Sequence, residues 1–288
     1  MEASPPIVSR DPTALSKRIQ NLPWWALILM LAGLLITYLI LTDNNYRDTF
    51  LYLKDGVYLT LWITLMAFPI ATVIGLFTGI ARLSKNVVLY TLSTIYVEVV
   101  RGIPLVVLIL MIAFAVIPLV VDLVNNIGAW GQTWATSGFL AAWAQKLVDF
   151  NIRTVDMKWR AVIALALGYG AFEAEIFRAG IQSISKGQME AARSLGMSYI
   201  QAMRFIILPQ AIRRVLPPLG NDFIAMLKDS SLATVLAVNE LTQLTRLRRS
   251  STFRVLEAFN VSAFLYLAMT LFLSAGVRLL ERKMKIEE

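Results

Sequence analysis

The residues able to do chemistry in this chain are few, and most stand inside long apolar runs. Glu98, Arg101, Glu173, Glu175, Arg178, Asp222, Lys228 and Asp229 all interrupt such runs. A charge in apolar surroundings is costly, so groups of this kind pair with one another or line a water-filled path. Glu98 and Arg101 are three residues apart and share one helix face, where they are expected to pair; Glu175 and Arg178 repeat the spacing. Residues two apart on a helix point about 200° from each other, so Glu173 turns away from Glu175 and is left as the free carboxylate. Asn221, Lys228, Asp229, Ser230 and Ser231 supply a second polar group. The chain has no cysteine and no histidine, which excludes thiolate metal sites, histidine proton relays and Cys/His nucleophilic catalysis. No carboxylate spacing matches a metal or paired-acid site. The phosphate-cradling G-x-x-x-x-G-K-[ST] loop is absent, as is any Gly-Lys dipeptide. These groups therefore point to recognition or passage of a polar solute, and away from bond-breaking on this chain.

The elements that must position them are membrane helices. Of 288 residues, 57% are hydrophobic and only 16% charged, too apolar for a soluble domain of this length. The net charge of +8 sits in loops beside apolar runs, following the positive-inside bias; no basic stripe interleaved with aromatics suggests nucleic acid. A polar arm, residues 1–22, precedes an uncharged run at 24–42, long enough to cross a bilayer and without a small-residue cleavage site after it. Residues 43–55 are expected to be a polar link. Further spans are expected at 56–81, kinked at Pro69; at 87–121, broken or bent at Gly102-Ile103-Pro104; at 161–184; at 219–237, starting from Pro217-Pro218; and at 258–277. Residues 122–160, with Trp130, Trp134, Trp143 and Trp159, are expected to form a loop and short helix at the membrane surface. Residues 240–257 form an outer loop whose Arg246, Arg248, Arg249 and Arg254 oppose the charge bias. No tandem repeat is visible. The fold class is all-α, a multi-pass membrane protein with both termini in the cytoplasm.

One polar stretch between spans, residues 190–209, carries the strongest pattern. A short helix opening at Gly187-Gln188 holds Glu190 in its first turn, where a negative charge suits the helix dipole. Met189, Ala192 and Leu195 recur at helical spacing as a small amphipathic face. Gly196 supplies a left-handed terminator, and Pro209 limits a second helix over 199–208. Lys186, Arg193, Arg204, Arg213 and Arg214 oppose the single acid Glu190, which places this loop in the cytoplasm.

Glu190-Ala191-Ala192, then Gly196, Ile206 and Leu208-Pro209, resembles the coupling loop of the membrane subunits of bacterial ATP-binding-cassette (ABC) importers. From residue 56 to 283 the chain is similar to their polar-amino-acid branch. The likeness rests also on Gly56-Val57-Tyr58-Leu59-Thr60, on residues 97–104 and 174–181, and on Pro217-Pro218-Leu219-Gly220-Asn221-Asp222-Phe223 to Leu227-Lys228-Asp229-Ser230-Ser231-Leu232. The resemblance implies a five-helix type I importer core, here with one additional N-terminal transmembrane helix, in the bacterial inner membrane. It implies a second permease subunit, identical or homologous, and an extracytoplasmic amino-acid-binding protein. It also implies a pair of cytoplasmic ATPase subunits that hold ATP and Mg, this chain holding no cofactor. Glu190, Ala191, Ala192, Leu195, Gly196 and Pro209 become the residues that couple to the ATPase. Residues 1 to about 50 lie outside the shared core, and the insert at 122–160 is longer than usual for the family.

A free polar amino acid is a zwitterion, so its site offers acceptors to the ammonium and donors to the carboxylate. Candidates are Glu173, Glu175, Arg101, Asn221, Lys228, Asp229, Ser230 and Ser231. Lys228 and Arg101 can face a carboxylate unless Asp229 and Glu98 neutralise them. The alternative is an ion-gradient-driven secondary transporter, which would show paired halves with broken helices in equivalent places; none is visible.

Overall fold

The computed structural model describes residues 24–135 and 137–284, with the side chains of Leu280, Glu281, Lys283 and Met284 excepted. The polar arm at 1–22 and Lys285 of the basic tail lie outside the described residues. Every regular element described is helical. In chain order they are α1 (Trp24–Thr42), α2 (Asn44–Ala81), α3 (Val87–Gly102), α4 (Leu105–Met111), a π-helical turn (Ile112–Val116) and α5 (Ile117–Trp134). Then come α6 (Gly138–Val148), a 3-10 turn (Ile152–Thr154), α7 (Met157–Gln182), α8 (Lys186–Ser194) and α9 (Tyr199–Ala202). A second π turn (Met203–Ile207), α10 (Leu208–Asp229), a 3-10 stretch (Ser230–Leu236), α11 (Leu241–Thr252) and α12 (Val255–Met284) complete the chain.

The chain divides into two compact units, residues 1–48 and 49–288. In the first, α1 is an uninterrupted apolar helix. Asp43 ends it and starts the next: its carboxylate accepts from the N–H groups of Asn45 and Tyr46 at 2.7 and 3.3 Å, an N-cap arrangement. The expected polar link at 43–55 is therefore helical.

In the second unit, four differences from the sequence reading have local causes. Pro104 forces Ile103 out of the helical region (φ −101°, ψ 134°), so the expected break or bend in 87–121 is a full break, and the part after it runs on past 121. α3 ends at Gly102, and a separate apolar helix of 30 residues covers Leu105–Trp134. The insert is a helical hairpin in place of a loop: α6 packs back on α5, with Gln132 Nε2 donating to Gln145 Oε1 at 2.7 Å. Pro209 does not limit a helix. It occupies the first turn of α10, where its missing N–H costs nothing, and α10 runs through Pro217 and Pro218 to Asp229. Residues 240–257, finally, are α11 and the start of α12.

Among the described residues, four helices are long and apolar enough to cross a membrane: α1, α2, the α4–α5 run, and α12 as far as Leu279. α7 and α10 miss that standard because they carry the chemistry: Glu173, Glu175 and Arg178 on one, Asp222, Lys228 and Asp229 on the other. They are stabilised by protein neighbours instead. α7 packs against α3, α4, the first π turn and α10, and its face from Ala161 through Ala164, Leu165, Ala171 and Ala174 is fully buried. α2 reaches it through glycines: a Cβ on Gly75 would sit 2.7 Å from the Glu173 Cβ and 3.1 Å from the Ala174 backbone nitrogen, and one on Gly79 would sit 2.7 Å from the Ala174 carbonyl.

Two buried polar residues hold the ends of this bundle. Arg160 is 7% exposed and donates to the carbonyls of Val155 (2.9 Å), Ile152 (3.0 Å) and Ala113 (2.9 Å), the last inside the first π turn. Arg160→Met is expected to leave those acceptors unpaired and to cost about 2–4 kcal/mol, seen as a lower unfolding temperature of the detergent-solubilised protein. Glu240 is fully buried in the turn before α11. Its carboxylate accepts from the N–H groups of Thr242 and Gln243, both at 2.7 Å, and from Tyr266 Oη at 3.1 Å on α12. Burial outweighs these donors and pushes its pKa from 4.5 up to about 7. With the folded pKa above the unfolded one, the stability linked to this proton is complete below pH 4.5 and is lost as pH rises through about 7. The loss should approach about 3 kcal/mol. Thermal unfolding is expected to move to lower temperature between pH 5.5 and 8.5, and Glu240→Gln to remove most of that dependence.

Candidate functional site

The first candidate surface is the knob formed by α8 and α9. Both helices are too short to be stable alone, so the knob depends on its caps. At the end of α8 the N–H of Met197 reaches back to the Ala192 carbonyl at 3.1 Å and that of Gly196 to the Arg193 carbonyl at 3.0 Å. This closure requires the left-handed backbone of Gly196, φ 82°. Ser198 and Gln201 then form a reciprocal capping box at the start of α9, with bonds of 3.2 and 2.8 Å. Ala192 and Ala202 are buried, so α8 and α9 meet through small side chains. Beneath them Ile184, Ile207 and Ala211 form a small core with Ile181, Met189, Met203 and Ile206. Arg214 on α10 also donates to the Ser183 carbonyl. The knob is thus welded to the end of α7 and the start of α10.

Within it, Glu190 is the fifth residue of α8 and not in the first turn; it stands exposed on the surface with Ala191 and Pro209. Leu195 does not share the buried face of Ala192 and Met189, because it follows α8 as its C-cap. It projects outward at 82% exposure, and Tyr199, Ile200 and Phe205 of the following segment are exposed as well. An apolar tip on a basic, rigid mount is the composition of a docking anchor.

The polar residues of the spans separate into two groups. The first is an ionic network where α2, α3 and α7 meet. Arg82 at the end of α2 contacts Glu175 at 2.7 Å and Glu98 at 3.4 Å, while Arg178 pairs with the same Glu175. The Glu175–Arg178 pairing expected from spacing is present. The Glu98–Arg101 pairing is not: Arg82 takes Glu98, and Arg101 lies over the Phe172 ring, 5.8 Å from its centroid. Arg82 was invisible as a partner because it lies 16 residues away in sequence.

The second group lies between α7 and α10. Tyr169 donates to Asp229 Oδ2 at 2.8 Å. One turn further along α7, Glu173 is fully buried and neither carboxylate oxygen has a hydrogen-bond partner. Thr72, whose hydroxyl lies toward it, donates instead to the Phe68 carbonyl at 2.9 Å. Asp222 on α10, with its Oδ2 also unpartnered, lies near enough to repel Glu173. Carboxylates enclosed in this way require a cation or a proton. Sequence reasoning passed over Tyr169, and it counted Asp222 among the charges of the spans without placing it among the substrate candidates. The signals were helical spacing, Tyr169 lying four residues before Glu173 and Asp222 seven before Asp229. Ser230 is buried, donating to the Leu227 carbonyl at 2.7 Å, and Ser231 is half-buried. Asn221 and Lys228, seven apart, share a different, exposed face of α10. Lys228 and Asp229 therefore point apart, and Asp229 does not neutralise Lys228. Among the described residues no cluster of His, Cys, Asp and Glu could hold a metal ion.

Comparison with known proteins places the chain among its relatives. The glutamine transport system permease protein GlnP of Escherichia coli (strain K12) is 36% identical over 234 residues, 81% of this chain and 93% of that protein. The probable glutamine ABC transporter permease protein GlnM of Bacillus subtilis (strain 168) is 37% identical over 238 residues, 83% and 95% of the two chains. A crystal structure of an amino acid ABC transporter with histidines is 34% identical and has a TM-score of 0.65, covering 85% of this chain and 98% of that one. An inward-facing MetNI methionine ABC transporter shares the fold at 18% identity and TM-score 0.58. Residues 71–286 match the family described as binding-protein-dependent transport system inner membrane component, and the chain belongs to that family.

Proposed function

We propose that this chain is the membrane subunit of an ATP-driven importer of polar amino acids. It works with a second permease subunit, a cytoplasmic ATPase pair that supplies ATP and Mg, and an extracytoplasmic amino-acid-binding protein. The observation that carries the reading is the knob: an exposed apolar tip, centred on Leu195, mounted rigidly on the two helices that hold the unpaired polar groups. A rigid-body displacement of the knob moves α7 and α10 together or against one another, and so moves Glu173, Asp222 and Asp229 relative to α2 and α3. That is the mechanical requirement for alternating access driven from outside the chain.

Charge supports an orientation with the knob and both termini in the cytoplasm. Two of the arginines of α11, which oppose that bias on the other side, are engaged locally. Arg248 donates to Thr49 Oγ1 at 3.4 Å and lies over the Tyr52 ring, and Arg246 donates to Thr234 Oγ1 at 3.2 Å. The exposed face of α10 with Asn221 and Lys228 suits a water-filled path against the second subunit, where Lys228 can meet a substrate carboxylate; Glu173, fully buried between α7 and α10, reaches such a path only when those helices move apart.

The deciding experiment is uptake into proteoliposomes. Transport that requires trapped ATP and the added ATPase subunit supports the importer; flux driven by an ion gradient alone overturns it in favour of a secondary carrier. Within that assay, Glu173→Gln is expected to change uptake of at least one polar amino acid by about tenfold. Unchanged uptake across a full panel would remove Glu173 from the site.

A further inference from the structure

The hairpin of α5 and α6 has the wrong distribution of charge for a structure standing in water. No charged residue occurs from 123 to 145, the whole of its outer part, while Asp122, Lys146, Asp149 and Arg153 all lie at its base. The tip is aromatic. Trp130 and Trp134 pair at 5.9 Å between ring centroids and Phe139 and Trp143 at 6.1 Å, and all four are more than half exposed. An exposed apolar patch of this kind on a water-facing element would be an aggregation liability.

The hairpin is also continuous with a membrane helix. Leu105–Trp134 is a single apolar run of 30 residues, about 45 Å at 1.5 Å per residue, against a hydrocarbon core of about 30 Å. Its exposed stripe, from Val107 through Phe114, Val120 and Ile127 to Trp134, does not turn polar where the bundle ends. The hairpin's own packing partners are the first π turn and the 3-10 turn at its base. A helix longer than the bilayer relieves the mismatch by tilting, which brings an apolar, uncharged tip down to the headgroup level that tryptophan favours. From the continuity of the stripe and the inverted charge order, we propose that the α5–α6 hairpin lies in the phospholipid interface as a membrane anchor. The occupant of its apolar face is lipid.

The chain's lack of cysteine makes a clean test possible. Single-cysteine variants Leu140→Cys, at the hairpin tip, and Ser250→Cys, on charged α11, are labelled with an environment-sensitive fluorophore. The full chain is then reconstituted in phosphatidylethanolamine/phosphatidylglycerol vesicles. Lipids bearing a nitroxide near the headgroup are expected to quench the label at 140 about threefold more than at 250, with aqueous iodide showing the opposite order. Iodide quenching at 140 as strong as at 250, without quenching by the lipid nitroxide, would overturn the proposal and leave the face to a soluble protein partner.

Discussion

Leu195→Asp is expected to abolish ATP-driven uptake while leaving the permease folded and inserted. The side chain is 82% exposed in the isolated chain, so a carboxylate there is solvated and costs the knob almost nothing. Seated in a cleft of another protein it is a buried, unpaired charge, and central apolar anchors of interfaces are worth roughly 2 kcal/mol or more. That corresponds to about a thirtyfold loss of affinity for the ATPase subunit. Two measurements separate the possibilities: the unfolding temperature, which should stay within a degree or two, and co-purification with the ATPase, which should fail. Normal co-purification with normal uptake would show that the tip is not an anchor. Glu190, exposed on the neighbouring helix, should respond less because a rim charge can keep its water.

Gly75→Val should have the opposite signature, a damaged fold with an intact knob. The space beside Gly75 is filled by the Glu173 Cβ at 2.7 Å and by the α7 backbone at 3.1 Å, and backbone cannot rotate aside as a side-chain end can. α2 must then move off α7. Overpacking of this kind costs about 1–3 kcal/mol or more, and here the displaced helix also carries Arg82 away from Glu175 and Glu98. We expect a Tm lower by several degrees and a loss of transport that adding more ATPase does not restore. Alanine at the same position meets the same atoms, so its effect should have the same direction at smaller size.

These two substitutions mark what could and could not be read from the chain. The knob was legible in part because its determinants are local: the left-handed Gly196 and the contact position Ala192 show in the sequence, whereas the Ser198–Gln201 box and the buried Ala202 enter only with the structure. Its outer tip was misjudged, since helical spacing assigned Leu195 to the buried face and only the turn at Gly196 turns it outward. The class of helical membrane protein was legible from hydropathy, and so were the positions of α1 and α12. α7 and α10 were recognised as too polar to stand alone, and the structure supplies their neighbours. What sequence spacing could not supply was partner choice across helices. Arg82 competes with Arg101 for Glu98, Tyr169 takes Asp229, and Arg160, in a segment expected to lie on the surface, serves a π turn inside an expected span. Proline was over-read twice. At Pro209 it lies in the first turn of α10, just after a π turn, and at Pro217-Pro218 it rides inside the helix.

The self-contained closure of the knob has one more implication. Its shape is fixed by Gly196, Ser198, Gln201 and two inward-facing alanines, none of which needs to touch another protein. Surface positions such as 190, 195, 199 and 200 are therefore free to vary without disturbing the scaffold. A cell that keeps several such permeases can sort them among different energy-supplying subunits by exchanging a few outward side chains. In the same way, grafting those side chains onto a sister protein should redirect its allegiance without redesigning its interior.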